Sequence, residues 1–328
     1  MRRFRSGLAV SVVLVGAVLG PAQTQSQTQI WPTKPVRIVA PFAPGGAADT
    51  LGRIVAEPLG NIFRQQFFVE NRGGAGGLIG AASVATAAPD GYTFIVAGVA
   101  SHVIAPSISP NPGFDPMRDF THIAYLGGPP VVWIVNPTLP VRSYRELIDH
   151  IRRSPTPVDY ISPGTGTHGF LFAESLARRE NIRLTHIPYK GAGPALMDLV
   201  GGHVLVGSIT FSSAAQQIRA GTVRALAVSS EKRLPNFPEI PTFKELGYDD
   251  LVSETWFAFS GPARLPGTIV EPLSREIDKI LQGPEVKKRM AQDEIEIKLM
   301  TPAQVTKHIA DEIAHWSPLA KSLNLKIE

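Results

Sequence analysis

Short apolar runs alternate along the chain with stretches in which apolar residues recur every three or four positions. The runs Val36–Ala40, Phe67–Val69 and Tyr92–Ala97 are typical of buried strands. A helical pattern passes through Leu59 between the first two runs, and an alanine-rich helical segment, Leu78–Ala87, precedes the third. Strands that alternate with helices in units of about 30 residues predict a mostly parallel sheet with helices on both faces.

The alternation begins again after Pro130 and predicts a second α/β lobe. Its predicted strands are Val131–Val135, Val158–Ile161, Leu184–Pro188, Val204–Ile209 and Arg224–Val228, and its predicted helices are Ser143–Arg153, Phe170–Arg179 and Ala195–Val200. After the apolar run Trp256–Phe259, helices are predicted at Thr268–Leu281, Pro284–Ala291 and Pro302–Leu323. So many crossovers in one sheet would be unusual, so two lobes are predicted, with the last helices returning to cover the first.

The first 22 residues have the pattern of a secretory signal peptide. Three arginines precede the apolar run Leu8–Leu19, and the small residues Gly20 and Ala22 suit cleavage after position 22. The run of roughly 12 residues is shorter than the approximately 20 that a membrane-spanning helix needs. The sequence therefore predicts an exported, periplasmic protein, and the alternative is an uncleaved N-terminal anchor.

The composition excludes several classes of function. Of the 328 residues, 44% are hydrophobic and 18% are charged, which is typical of a globular protein. The formal net charge is +4, and it falls to +1 when the three leader arginines are removed, so no basic surface for nucleic acid is predicted. The absence of cysteine excludes disulfides, thiolate metal sites and cysteine nucleophiles.

Glycine-rich loops follow two predicted strands of the first lobe. The first loop is Pro41–Asp49 and the second is Asn71–Gly77. Glycine lets backbone amides approach a ligand closely, and the N-terminus of the helix that follows favours an anion. Because parallel strands end at one edge of the sheet, the two loops are predicted to hold one carboxylate. The alternative is that both are tight turns, with Asp49 as an acid in the first turn of its helix.

A third loop, Gly164–Gly169, has the spacing G-x-G-x-x-G between a predicted strand and a predicted helix. A dinucleotide site also needs an acid at the end of the next strand, and that strand ends in Pro188-Tyr189-Lys190. No cofactor is therefore predicted. The loop is interpreted as a second part of the anion site, with Thr165 and Thr167 as hydroxyl donors.

Signals for catalysis are weak. The chain has no G-x-S-x-G motif, and the neighbours Ser101 and His102 are the best-placed candidates for a hydroxyl and a base. His308 and His315 lie seven residues apart on a predicted helix, and two ligands do not make a zinc site, so no metal is predicted.

Taken together, these segments resemble the substrate-binding receptors of tripartite tricarboxylate transporters, the Bug family. The segments that carry the resemblance are Trp31–Arg37, Pro41–Asp49, Val69–Gly80, Pro188–Ala195, Asp198–Gly202, Arg224–Val228 and Pro241–Tyr248. The resemblance implies a two-lobed periplasmic clamp, monomeric in solution, that closes on a small carboxylate and delivers it to an inner-membrane permease. Two crossover strands, near Val131–Val135 and Glu254–Phe257, would form the hinge.

The resemblance also implies lobe boundaries and site residues. The first lobe would comprise residues 23–130 and 257–328, and the second residues 131–256. In the family, backbone amides and bridging waters of the first-lobe loops hold the ligand. The first-lobe residues expected at the ligand are Phe42, Gly45, Ala47, Asp49, Gly74, Ala75, Gly76, Ser101 and His102. Those of the second lobe are Gly164, Thr165, Gly166, Thr167, Lys190 and Ser208.

The chain departs from the family pattern at two places. Gly73 stands where a proline is usual, which predicts a looser second loop. His168 and Gly169 precede Phe170, where similar receptors have a serine-rich stretch followed by histidine, which predicts an altered second-lobe pocket. Two alternative functions remain: an exported hydrolase or isomerase that uses His102 or His168 as a base, and a sensor that reports its ligand to a signalling protein.

Overall fold

The computed structural model describes residues 31–327, so the predicted signal peptide lies outside the described residues. The chain forms two five-stranded sheets. The strands of the first sheet are β1 (Val36–Ala40), β2 (Phe67–Asn71), β3 (Thr93–Gly98), β4 (Phe120–Gly127) and β10 (Phe257–Pro262). The strands of the second sheet are β5 (Val131–Val135), β6 (Val158–Ser162), β7 (Leu184–Pro188), β8 (Val206–Thr210) and β9 (Arg224–Val228).

Helices flank both sheets. Those of the first half of the chain are α1 (Ala47–Phe63), α2 (Leu78–Ala85), α3 (Ala105–Ile108), α4 (Tyr144–Arg153) and α5 (His168–Glu180). They are followed by α6 (Ala192–Val200), α7 (Phe211–Arg219), α8 (Gly267–Gln282), α9 (Pro284–Gln292) and α10 (Pro302–Ser322). Among the described helices, none combines the length and apolar character that crossing a bilayer requires.

Both sheets have the same topology. Their strand orders are β2-β1-β3-β10-β4 and β7-β6-β8-β5-β9. In each sheet four strands run in one direction, and the fourth strand in the order is reversed and pairs antiparallel with both neighbours. That reversed strand is the first one the chain enters after it leaves the other sheet. The prediction of mostly parallel sheets is therefore confirmed for strand direction, and the pairings are mixed because the reversed strand lies inside each sheet.

The strands are covered on both faces, which explains their continuous apolar sequences. On β5, Val131, Trp133 and Val135 belong to one hydrophobic core, and Val132 and Ile134 belong to another. Successive side chains of a strand point to opposite faces, so a strand that is buried on both faces has no polar positions to alternate with. The core around Trp133 also contains residues of β1 and β3, so it extends through both lobes.

The chain crosses between the sheets twice, between β4 and β5 and between β9 and β10. The two crossing segments lie side by side. Pro130 and Glu254 form an isolated antiparallel bridge, and the amide of Thr255 donates to the carbonyl of Pro129 at 2.7 Å. The predicted lobe boundaries fall at these crossings and stay a prediction.

The two lobes contact each other directly through backbone. The amide of Ala43, after β1, donates to the carbonyl of Lys190, after β7, at 2.7 Å. A Cβ atom added to Gly193 of α6 would lie 2.2 Å from the carbonyl oxygen of Pro44, which is closer than real Cβ atoms approach. Glycine at position 193 therefore permits the lobes to touch, and the structure describes the closed arrangement of the clamp.

Candidate ligand site between the lobes

A small cavity lies between the lobes where strands of both sheets lead into helices. Its volume is about 40 Å³. Because one water molecule needs about 10–15 Å³ of such space, the closed cavity accommodates a group about the size of a carboxylate. We call it the central cavity. Its walls are Phe42, Gly46, Ala47, Ala48, Gly98, Ala100, Pro163, Thr167, His168, Gly169, Ala192, Thr210, Thr255 and Phe257.

Four helices, one from the first lobe and three from the second, begin at the central cavity. Residues of their first turns or caps line it: Ala47 of α1, His168 of α5, Ala192 of α6 and Thr210 before α7. The first amides of a helix have no partner within the helix, and its dipole places partial positive charge there. The described lining residues include no Lys, Arg, Asp or Glu. The partial positive charge of these helix starts, and no charged side chain, therefore supplies the preference of the cavity for an anion.

The first glycine loop is shaped by Asp49, which is buried and does not line the cavity. Its carboxylate accepts hydrogen bonds from the amide of Gly45 at 3.1 Å and from Asn71 Nδ2 at 3.0 Å, and it pairs with Arg53. Burial raises the pKa of Asp49, but the hydrogen bonds from Arg53, Gly45 and Asn71 outweigh it and hold the pKa below its usual value. The amide of Gly45, predicted to bind ligand, is thus already used within the loop. The neighbouring residues Phe42 and Ala47 do line the cavity.

The second glycine loop borders a different groove. Gly74, Ala75 and Gly76 line it together with Gly164, Thr165 and Lys190, and residues 324–327 form its opposite wall. A Cβ at Gly76 would lie 2.6 Å from the carbonyl oxygen of Thr165, so the lobes also touch here. In the closed arrangement some predicted site residues line the central cavity, some line this neighbouring groove, and the remaining ones line neither: Gly45, Asp49, Ser101, His102, Gly166 and Ser208.

Gly73, the departure from the family pattern, lies at the same contact between the lobes. A Cβ there would lie 2.8 Å from the carbonyl oxygen of Lys190. Because Gly73 has no side chain, the backbones of the two lobes approach each other closely here. The prediction of a looser second loop did not include this contact.

Ser101 and His102 lie inside the first lobe and do not line the central cavity. Both are fully buried. Ser101 Oγ is 3.0 Å from His102 Nδ1, and the His102 ring packs 4.5 Å from that of Phe120. Burial, and then the neighbouring His122, hold the pKa of His102 well below its usual value, so the imidazole is neutral. This pair has no access to a ligand in the closed arrangement.

Two of the second-lobe predictions have mainly structural surroundings. Ser208 is fully buried, and its hydroxyl donates to the carbonyl of Gly169 at 2.8 Å. Gly166 has a φ of +85°, and a Cβ there would lie 3.0 Å from the Cβ of Ala105 in the first lobe. Thr167, in contrast, lines the cavity and is the N-cap of α5; its hydroxyl accepts from the amide of Phe170.

The sequence indicated His168 only as a possible base and did not single out Thr255, and both residues line the central cavity. His168 is 2% exposed, and its Nδ1 lies 2.9 Å from the hydroxyl of Thr255 in the second crossing. Its Nε2 has no hydrogen-bond partner among residues 31–327. Burial lowers the pKa of His168 to about 3, so the ring is neutral. The departure from the family pattern at His168 was the available signal.

Two α/β lobes that are joined by two crossings and enclose an anion-favouring cavity define a solute-binding clamp. Residues 51–325 match the model of the tripartite tricarboxylate transporter family receptor, and the chain belongs to that family. The predicted family is thereby confirmed, and the protein is a solute-binding receptor of this type.

Individual relatives agree with this assignment. Protein BugT of Bordetella pertussis is 33% identical over 299 residues, which are 91% of this chain and 92% of BugT. A Rhodopseudomonas palustris protein whose structure contains adipate is 31% identical, with a TM-score of 0.86 over 90% of this chain and 99% of that one. MatC from Rhodopseudomonas palustris, with bound malate, is 28% identical, with a TM-score of 0.84 over 88% of this chain and 100% of that one. The predicted two-lobed fold is confirmed.

Proposed function

We propose that this receptor works in the periplasm, closes on one carboxylate group of a small organic acid and delivers the acid to an inner-membrane permease. The observation that carries the proposal is the convergence of four helix N-termini, from both lobes, on one cavity whose described lining has no charged side chain. An anion held in this way needs donors from both lobes. Binding and closure are therefore linked.

The lobes close on the ligand because the closed clamp offers it more hydrogen-bond donors than the open clamp does. An open clamp offers the ligand the donors of one lobe, and a closed clamp offers those of both, so the ligand shifts the population toward closure. A shift from roughly 1:99 to 99:1 requires about ten-thousand-fold tighter binding to the closed form, or about 5.5 kcal/mol. Hydrogen bonds to a charged group contribute about 1.5–3 kcal/mol each, so two to four donors from the closing lobe are sufficient.

The ligand class is argued from the cavity and from the relatives. Adipate and malate, which occupy the two related structures, share carboxylate groups and differ in length and hydroxylation. The central cavity here has room for about one carboxylate. We infer that one carboxylate enters it and that the remainder of the acid occupies space that opens as the lobes part.

The described histidines are poorly suited to act as a general base, which supports a receptor without enzymatic activity. Of the described residues that line the central cavity, His168 is the one whose side chain titrates near neutral pH in water, and burial lowers its pKa to about 3. A general base is most effective when its pKa lies near the working pH, so this imidazole is poorly suited to proton transfer. His102, the other candidate base, is enclosed in the first lobe.

A thermal-shift screen of residues 23–328 tests the proposal. Malate, adipate and citrate are compared with their neutral amides, followed by calorimetry and by recovery of the ligand. A ligand at about 100 times its Kd is expected to add about 2.7 kcal/mol to the free energy of unfolding. Equal stabilisation by the neutral amides, or consumption of the ligand, would contradict the proposal. Uptake of the ligand by cells that carry or lack the permease then separates transport from sensing.

A further inference from the structure

After α10 the chain continues as a short segment, residues 323–327, which we call the strap. Its sequence, Leu-Asn-Leu-Lys-Ile, alternates apolar and polar residues. The three apolar side chains are buried or half-buried, and the two polar ones are exposed. Alternate side chains of an extended segment point to opposite sides, so one side of the strap packs on the protein and the other faces solvent.

The strap turns back at its second residue. Asn324 has a φ of +52°, in the left-handed region that asparagine tolerates directly after a helix. Just before the turn, the carbonyl of Ser322 accepts a hydrogen bond from Arg178 Nη1, near the end of α5, at 3.0 Å. After the turn, Ile327 lies beside Gly166, which precedes α5. The strap thus runs from the C-terminal toward the N-terminal end of α5, in the second lobe.

The helix that carries the strap belongs to the first lobe. α10 lies against β4 and the segment 100–104. The hydroxyls of Ser317 in α10 and Ser107 in α3 lie 2.6 Å apart. The strap is therefore anchored in one lobe and lies on the other.

Ile327 lies at a point where the two lobes touch. A Cβ atom added to Gly166, in the third glycine loop, would lie 2.8 Å from Cδ1 of Ile327 and 3.0 Å from the Cβ of Ala105 in the first lobe. Ile327 also packs against the hydrophobic core that extends through both lobes. Its side chain therefore contacts the second lobe beside the contact that the two lobes make directly.

The two leucines of the strap also lie on the second lobe. Leu323 and Leu325 line a surface cavity together with Ala177 and Ile182 of the second lobe. Residues 324–327 form one wall of the groove that borders the second and third glycine loops. The apolar side of the strap thus covers the junction of the lobes on the side of this groove.

Opening of the clamp would separate these contacts. The strap is joined to the first lobe through α10, so movement of the second lobe away from the first exposes Ile327 or pulls the strap off α10. Burial of apolar surface stabilises the arrangement in which the burial occurs. The contacts of the strap therefore favour the closed arrangement.

We propose that the strap, residues 323–327, holds the clamp closed, with Ile327 as its main contact on the second lobe. This role rests on the proposed function in that it requires a clamp that opens and closes, but it does not depend on the identity of the ligand. The strap stabilises the closed state in addition to any ligand, and Ile327 leaves Gly166 when the clamp opens.

A disulfide between the lobes measures closure without a ligand. The sequence contains no cysteine, so introduced thiols have no competitors. A Cβ added to Gly46 of the first lobe would lie 3.7 Å from the Cβ of Ala192 of the second, and disulfides join Cβ atoms about 3.5–4.5 Å apart. In the double variant Gly46→Cys/Ala192→Cys of residues 23–328, oxidised glutathione converts the two thiols to a disulfide and releases two molecules of reduced glutathione. The equilibrium constant reports how readily the clamp closes.

Variants of the strap are compared in this background. Ile327→Ser is expected to lower the equilibrium constant about fivefold, because a half-buried isoleucine contributes about half of what full burial gives. Lys326→Ser, at an exposed position of the strap, is the matched control, and its constant is expected to stay within about twofold of the parent. Ile327→Val keeps an apolar side chain and is expected to do the same. Equal constants for Ile327→Ser and the parent would overturn the proposal, as would a disulfide that forms at no ratio of glutathione.

Folding and ligand binding are measured separately. Urea unfolding of each reduced variant, with a transition like that of the parent, shows that the variant is folded. Binding of malate, adipate and citrate is measured in the protein without introduced thiols, since Gly46 and Ala192 line the central cavity. If none of the three acids binds, the proposed function fails and the thiol equilibrium still decides the role of the strap. If they bind and Ile327→Ser closes as readily as the parent, the strap alone is rejected.

Discussion

His102 and His168 have the same local chemistry in two different regions of the molecule. Each is fully or almost fully buried, and each has an Nε2 without a partner among the described residues. In each, Nδ1 lies about 3 Å from a hydroxyl: that of Ser101 at 3.0 Å for His102, and that of Thr255 at 2.9 Å for His168. Burial and hydrogen bonding alone do not distinguish them.

Their surroundings do distinguish them. The partner of His102 is its own neighbour in sequence, and its ring packs against Phe120 within the first lobe. The partner of His168 lies in the second crossing, so their hydrogen bond joins α5 of the second lobe to the hinge. We infer that His102 contributes to the stability of the first lobe, whereas His168 contributes to closure of the two lobes on a ligand.

Acid is expected to have the largest effect, and His122, beside His102, is one of the histidines through which it acts because burial lowers their pKa. The ring of His122 lies 6.0 Å from that of His102, and burial lowers the pKa of His122 to about 4. Its pKa in the unfolded chain is about 6.5, so the unfolded state binds more protons between these values. The stability that the neutral ring contributes is present above about pH 6.5 and is lost as the pH falls toward 4, a change on the order of 3 kcal/mol.

Urea unfolding at pH 7.5, 5.5 and 4.5 measures this loss. His122→Gln is expected to flatten the dependence of the free energy of unfolding on pH. His203→Gln, at an exposed histidine, is the control and is expected to leave the dependence as in the wild type. Equal pH dependence in His122→Gln and the wild type would show that His122 is not the group responsible.

Contact between the lobes gives the next largest effect. Gly193→Ala would place a methyl group 2.2 Å from the carbonyl oxygen of Pro44 in the closed arrangement. Overpacking of this kind costs about 1–3 kcal/mol, which predicts a roughly 5- to 150-fold loss of carboxylate affinity by calorimetry. The open clamp has no such clash, so the stability of the ligand-free protein is expected to change little.

Gly267→Ala is the matched control for Gly193→Ala. It adds the same methyl group in the first turn of α8, where a Cβ would lie 3.5 Å from Oε1 of Glu271, an ordinary contact. Its carboxylate affinity is expected to equal that of the wild type. If Gly193→Ala also bound normally, the ligand-bound state would differ from the closed arrangement described here.

The sequence predicted the strands and helices whose apolar periodicity is continuous and missed β4, α3 and α7. β4 contains Thr121 and His122, and the polar His122 is buried because its Nδ1 lies 2.9 Å from the hydroxyl of Ser260 in β10. A hydrogen bond between residues 138 positions apart leaves no local pattern. α7 is short, and Thr210 before it is a residue type that commonly precedes a helix, although its side chain makes no capping hydrogen bond here.

The assignment of the glycine-rich loops to the ligand stays a prediction. The first and third loops contribute residues to the walls of the central cavity, and the second borders the neighbouring groove. The pattern could not show that the amide of Gly45 is used by Asp49, since this depends on how the loop folds. Nor could it bring together His168 and Thr255, which lie 87 residues apart and meet when the second crossing packs against α5.

The smallest effect is expected from leucine variants of the two histidines, and it tests the comparison most directly. His168→Leu removes the neutral hydrogen-bonding group at the central cavity and the bond to Thr255. A neutral hydrogen bond contributes about 0.5–1.5 kcal/mol, so carboxylate affinity by calorimetry is expected to fall up to about tenfold. His102→Leu replaces an enclosed ring that does not line the central cavity, and its affinity is expected to stay within about twofold of the wild type.

Both variants are expected to tolerate acid better than the wild type, because each removes an imidazole whose pKa is lowered by burial in the folded protein. Carboxylate affinity therefore separates the two variants, and the dependence of the free energy of unfolding on acid does not. If His102→Leu instead weakened carboxylate binding as much as His168→Leu, the first-lobe histidine would be coupled to the ligand. The location of a histidine, within one lobe or between the two, would then not determine whether its replacement changes carboxylate affinity.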